Sequence, residues 1–284
     1  LVACDYVTFS DHRLLSQDIP IFAIVLGGLM FGIGMVCTRG CISRLTILAG
    51  TGNLRALSVV IVFSVVAHAT LKGVFAPVRV WLGSVTISLG QTTSLAALPG
   101  GATFWAGALS ITVFLLAYKS GINWRQAVLA LILGILVPSA WLGTGFILQD
   151  DFDPIAMQSL SFTSPAADWL FWTIASSSIP VGFGAGLILG VVFGAAIASL
   201  SKGEFAWKTF ESPQQTKNYF FGASLMGLGG VLAGGCTIGA GLSGISTLGI
   251  AAFVALASIT IGGLLAKYLS SSQRRSTLDA LGAH

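Results

Sequence analysis

GGLMFGIGMVCTRGCISRLTILAGTGNLRAL, running from Gly27 to Leu57, has a counterpart in GASLMGLGGVLAGGCTIGAGLSGISTL, running from Gly222 to Leu248. With Cys41 laid on Cys236 the two align without a gap, Gly27 on Gly222, Gly32 on Gly227, Gly34 on Gly229, Val36 on Val231 and Gly40 on Gly235. Each stretch is rich in glycine and sets one cysteine directly after a glycine. Transporters often assemble a binding site from two such related halves. A duplicated, cysteine-tipped segment in an apolar chain therefore predicts passage of something across a membrane.

Composition fixes the solvent. Of 284 residues, 55% are hydrophobic and only 8% charged, against roughly 25% charged in a soluble domain. Mean hydropathy is +0.89. Seven runs approach or exceed the roughly 20 apolar residues that cross a bilayer: Ile19 to Cys37, Leu54 to Ala76, Gly101 to Tyr118, Gln126 to Leu148, Val181 to Leu200, Tyr219 to Gly235 and Thr247 to Leu269. The longest polar tract, Ser201 to Asn218, reads as a loop rather than a linker between domains. The expectation is one membrane domain over residues 1–284, an all-α integral membrane protein in the lipid bilayer. Most of the 36 glycines are expected to pack helices closely.

Charge gives orientation, since Lys and Arg collect on the cytoplasmic side of short loops. Seven crossings with the N-terminus outside leave only Arg13, Lys72 and Arg79 of the fourteen Lys and Arg outside. The C-terminus is then cytoplasmic, and the net charge of +4 reports topology, not nucleic acid binding. In this orientation the segment leading to Cys41 runs inward and the one leading to Cys236 runs outward, an inverted-topology repeat. Ile42 to Asn53 and Thr237 to Gly244 are too polar and broken to be continuous spans, so both are expected to be re-entrant or broken helices, lined by protein or a water-filled cavity. Trp81 to Gly100 and Asp168 to Ser178 admit two readings, re-entrant or lying on the surface.

The chemistry rests on thiols. Glycines beside Cys41 and Cys236 expose backbone N–H groups, and a short helix beginning at each cysteine would aim its positive end at an anion. A thiolate would repel such an anion, whereas apolar burial favours the neutral thiol, a weak S–H donor. Cys37 and Cys41, four apart, would share one face of a helix. Their spacing is not that of a redox C-x-x-C motif, and no His or carboxylate completes a metal site, so no metal or cofactor is expected. Arg39, Arg44 and Arg55 near the first motif fit either attraction of anions or topology alone. His68 is expected to bond to a neighbouring helix rather than relay protons. With no carboxylate in a span, facilitated passage is favoured over proton coupling.

The two motifs, Gly27 to Leu57 and Gly227 to Leu248, resemble those of the YeeE/YedE sulfur-transport family of bacterial inner-membrane proteins. The resemblance implies import of thiosulfate or a related sulfur anion along a central path lined by cysteines, with delivery to a cytoplasmic sulfurtransferase as a further implication. Carried over by motif, Cys41 and Cys236 take the binding role, with Gly40, Gly235, Thr237 and Arg39 beside them. Larger members carry a further cysteine motif nearer the N-terminus, and Cys4 does not match its context, so this chain is expected to be N-terminally truncated or to have an incomplete relay. The first motif reads Thr38-Arg39-Gly40-Cys41 where members often have A-G-G-C, so Arg39 is expected to narrow or recharge the path. A membrane thiol oxidoreductase using Cys37 with Cys41, and a generic small-anion channel, are the competing readings.

Overall fold

The computed structural model describes residues 18–88, 90, 93–97, 99–147, 157–177 and 181–281. Cys4, Asp5, Asp11, Arg13, Asp150, Asp151 and Asp153 lie outside the described residues. Among the described residues ten α-helices follow in chain order: α1 (Ile21–Cys37), α2 (Ile42–Gly50), α3 (Leu54–Lys72), α4 (Ala76–Gly83), α5 (Gly101–Lys119), α6 (Trp124–Leu142), α7 (Thr163–Ile174), α8 (Phe183–Ser201), α9 (Pro213–Leu232) and α10 (Ile250–Leu281). A π-helical segment, Thr237–Gly244, lies between α9 and α10. Among the described residues seven helical stretches are long and apolar enough to cross a membrane, and the first and sixth, Ile21–Gly50 and Pro213–Gly244, each contain one cysteine motif. The protein is an all-α, multi-pass membrane protein.

Glycine brings the central helices together. A Cβ on Gly27 would stand 2.5 Å from Ala233 N and 2.7 Å from Gly229 O, and one on Gly222 would stand 2.7 Å from Cys37 Cβ and 2.9 Å from Gly34 O. These contacts run α1 antiparallel to α9 at a separation only glycine tolerates. Gly32 abuts Ile259, Gly262 and Gly263 of α10, and Gly227 abuts Phe63 and Val66 of α3. Such small-residue contacts let backbones approach where lipid supplies no hydrophobic drive for association. Phe31, Phe63, Met226 and Ile259, all about fully buried, fill the space between these helices, and Cys236 belongs to the same cluster.

Two ends of the bundle can be told apart. At one, Asp18–Ile19 pairs antiparallel with Ile87–Ser88, and Ser94 bridges Gly249. At the other, Asn53 bridges Lys208 and Arg55 meets the Glu211 carboxylate at 3.0 Å. The tract Trp81 to Gly100 contains no helical dip among its described residues. It holds the last turn of α4, the short strand and a 3-10 turn at Leu95–Ala97, with Trp81, Val85 and Ile87 exposed.

The loop expected at Ser201 to Asn218 is shorter than its polarity suggests. Ser212 caps α9, its side chain accepting from Gln215 N at 3.2 Å, and Pro213 takes the first turn, where a missing N–H costs nothing. Helix therefore begins inside the polar tract. Among the described residues of Asp168 to Ser178 only those of α7 are helical, and α7 packs against α3: His68 stacks on Phe171 with ring centroids 4.3 Å apart, and Asp168 faces Lys72 and His68 electrostatically. His68 thus meets its neighbouring helix through a ring face rather than the expected hydrogen bond.

Candidate functional site

Both cysteines stand where a long helix breaks and a short one begins. After α1, Arg39 takes a left-handed conformation (φ 59°), and after α9 its aligned partner Gly234 does the same (φ 82°). The hydrogen bonds around the two breaks correspond: Arg39 N–H donates to Val36 O and Gly234 N–H to Val231 O, both at 3.3 Å. Beyond the breaks, Leu45 N–H donates to Cys41 O (3.0 Å) and Ala240 N–H to Cys236 O (2.8 Å). Glycine enters this backbone region freely, while arginine pays a steric cost of about 1 kcal/mol. Thr38 offsets that strain by tying the turn from within. It is buried, with Oγ1 donating to Gly34 O at 3.0 Å and lying 3.0 Å from Gly40 O.

Cys41 and Cys236 then occupy the N-cap positions of α2 and of the π segment, both in extended backbone. The Cys236 thiol accepts from Gly239 N–H at 3.4 Å, and Phe162 N–H approaches it from the loop before α7. Cys41 Sγ lies 2.7 Å from Thr237 Oγ1, either group able to donate. Ser43, through its N–H and hydroxyl, and the Cys236 thiol complete its surroundings. Cys41, Cys236 and Thr237 therefore meet at one point, although the cysteines are 195 positions apart in sequence. Cys236 is fully buried and Cys41 half-buried, and both are free thiols.

The remaining expected residues divide. Gly235 is tight, since a Cβ there would stand 2.9 Å from Ala240 N, whereas one on Gly40 would make ordinary contacts with side chains, Arg44 Cδ at 3.4 Å and Leu45 at 3.7 Å. Arg39 supplies the turn and is exposed. Cys37 does not share a helical face with Cys41, because α1 ends at Cys37 and the left-handed turn intervenes. Cys37 packs instead against Gly222. Ser43 and Phe162 are neighbours of the thiols that sequence reasoning passed over. Ser43 lay inside the quoted motif without a glycine or cysteine to draw attention, and Phe162 acts through its backbone, which no side-chain pattern reveals.

Two cavities border this point. One, of about 240 Å³, is lined by Gln158, Ser159, Ser161, Ser164 and Ser243 and reaches Gly234 and Gly239 beside Cys236. The other, of about 410 Å³, is apolar, runs along α1 and α10 from Thr237 to Lys267, and includes Met35 and Ile259. Thr237, next to Cys236 in the chain and bonded to Cys41, borders the second cavity, while Gly234 and Gly239 border the first. Among the described residues no cluster of His, Cys, Asp and Glu is fit to hold a metal ion.

Comparison with known proteins agrees with the architecture. The family described as Sulphur transport matches residues 6–265. The chain is similar to the thiosulfate transporter TsuA of Spirochaeta thermophila, 27% identical over 260 residues covering 84% of this chain and 74% of the relative. It is also similar to the thiosulfate transporter TsuA of Escherichia coli, 26% identical over 293 residues covering 93% of this chain and 80% of the relative. These relatives are named as transporters, not as catalysts. With a match over most of its length, on a bundle whose two related motifs meet at their cysteines, the chain belongs to the sulphur-transport family.

Proposed function

We propose that this protein carries thiosulfate, or a closely related sulfur anion, inward across the bacterial inner membrane along a path that passes Cys41, Thr237 and Cys236. The observation that carries the reading is the meeting of those three side chains at the N-termini of two short helical segments. Helix N-termini present unpaired N–H groups and a positive dipole end to an anion. Thiol and hydroxyl groups offer donors soft enough to hold a terminal sulfur and weak enough to release it. A fixed cation at the same point would hold the anion too firmly for rapid passage. Arg39 belongs to this proposal only as a turn residue near the path.

The packing supports an inverted repeat. Laying Cys41 on Cys236 exchanges Gly27 with Gly222 and Gly34 with Gly229, and the close contact of Gly27 with Gly229 becomes that of Gly222 with Gly34. The same operation exchanges the Gly32 contact on α10 with the Gly227 contact on α3. Paired exchanges of this kind are what a pseudo-two-fold axis in the membrane plane produces. In the proposed topology the N-terminal side of α1 faces outside and the C-terminus lies in the cytoplasm, where residues 202–212 offer a surface to a cytoplasmic sulfurtransferase.

The generic anion channel and the thiol oxidoreductase make different forecasts. The test is uptake of labelled thiosulfate into liposomes holding the purified chain, measured beside sulfate and chloride. Thiosulfate is expected to enter at least about tenfold faster than sulfate, the discrimination a lost soft hydrogen bond provides. Equal entry of all three anions would overturn the reading in favour of an unselective pore. Uptake that needs a thiol oxidant or reductant would favour the oxidoreductase.

A further inference from the structure

We infer that the serine-lined cavity beside Cys236 is a second binding site, one that holds the oxygen end of a tetrahedral sulfur oxyanion through neutral hydroxyl and amide donors. The inference rests on the transport reading for its role, though not for its chemistry. The cavity of about 240 Å³ has room for a tetrahedral oxyanion with a few waters, and Gln158, Ser159, Ser161, Ser164 and Ser243 all line it.

Their hydrogen bonds decide what can bind. Ser243 donates its hydroxyl proton to Leu160 O at 2.7 Å and Ser159 donates to Val137 O at 3.2 Å, so neither has a proton left for a ligand. Gln158 is held by its backbone, its N–H donating to Thr144 Oγ1 at 3.0 Å and its carbonyl accepting from the same hydroxyl at 2.8 Å. Among the described residues no hydrogen bond engages its side-chain amide. Among the described residues no hydrogen bond engages the hydroxyls of Ser161 or Ser164, and Ser164 is exposed. Among the described residues the cavity thus offers two hydroxyl protons and one amide as donors, and no carboxylate among them lines it.

Donors without carboxylates suit an anion, and donors without a cation suit one that must leave again. The position suits a staging point. A Cβ on Gly239 would stand 2.8 Å from Ser161 Oγ, so the Ser161 hydroxyl lies against the residue whose N–H bonds the Cys236 thiol. The next residue after Ser161, Phe162, brings its own N–H to that thiol. An anion held by its oxygens at Ser161 and Ser164 therefore sits one residue from the thiol that would take its sulfur. Sulfate, which has oxygens and no exposed sulfur, fits the first contact and not the second.

The test is calorimetric titration of the full chain in lipid nanodiscs with sodium thiosulfate and, separately, sodium sulfate. Both anions are expected to bind the unaltered protein. Ser161→Ala with Ser164→Ala is expected to weaken both about tenfold or more, two neutral hydrogen bonds having been removed. Should that double variant fail to fold, Ser164 alone suffices, because it is exposed and bonds to no described residue. Ser164→Ala is then expected to weaken both anions about threefold to fivefold, and Ser164→Thr to restore them. Unchanged affinities in folded variants, or no binding of either anion to the unaltered protein, would overturn the site. A chain that binds sulfate through these serines yet moves no thiosulfate would sink the transport reading and leave the site standing.

Discussion

Substituting Gly229 by alanine tests whether glycine packing is what holds the two motifs in register. The added methyl would stand 2.5 Å from Gly27 O, 2.6 Å from Phe31 N and 3.1 Å from Met30 Cβ. Ordinary contact begins at 3.4 Å, so α1 and α9 would have to part by about 0.9 Å. Two of the three opposing atoms belong to backbone, which cannot rotate aside as a side chain can. A radial gap of roughly 0.5–1 Å already forfeits a quarter to a half of each dispersion contact across the interface, and overpacking in rigid surroundings costs about 1–3 kcal/mol. The rigid neighbours put this case in the upper half of that range, about 2–3 kcal/mol. Gly190 on α8 supplies the control, since nothing lies within 4 Å of its Cβ position. Alanine there replaces a poor helix former and is expected to be neutral or to stabilise by up to about 1 kcal/mol. Equilibrium unfolding by SDS titration in mixed micelles measures both. If Gly229→Ala and Gly190→Ala agree to within about 0.5 kcal/mol, the argument from close backbone contact is refuted.

Other consequences are narrower. Asn53 caps α3, its side chain accepting from Ala56 N–H at 3.3 Å, and Asn53→Ala is expected to cost about 1 kcal/mol in the same unfolding measurement. Thr237→Val removes the hydroxyl paired with Cys41 while nearly preserving volume. It is expected to slow thiosulfate uptake about fivefold to tenfold, from the loss of one hydrogen bond, with the melting temperature of the purified protein nearly unchanged. Cys37→Ser alters a thiol that faces Gly222 rather than the other thiols, and uptake rates are expected to stay within about twofold of the unaltered chain, which discriminates against any redox cycle that needs Cys37.

The membrane fold was legible because its cause is in the sequence: uninterrupted apolar runs leave lipid as the only compatible solvent. The breaks at Cys41 and Cys236 were legible for a related reason, glycine and polar residues marking where helix cannot continue. What escaped was detail that depends on three-dimensional neighbours. Arg39 gave no sign of a left-handed turn, a conformation usually left to glycine, because the stabilising contacts come from the buried Thr38 hydroxyl. That turn separates Cys37 from Cys41, and reading the two on one helical face assumed a helix that stops between them. The start of α9 was hidden because Ser212 and Pro213, signals of a helix N-terminus, sat within a tract read as loop on polarity alone. Residues 157–162, which supply a wall of the serine cavity and a backbone N–H to Cys236, belong to neither motif, and a backbone donor has no residue signature.

The central claim is that Cys41 and Cys236 act together on the anion. Initial rates of labelled thiosulfate uptake should be measured in cells expressing the unaltered chain, Cys41→Ala or Cys236→Ala, with membrane levels matched. Each substitution is expected to cut the rate about tenfold or more, from the loss of a donor at the shared point. Uptake at the unaltered rate by either variant would contradict the account.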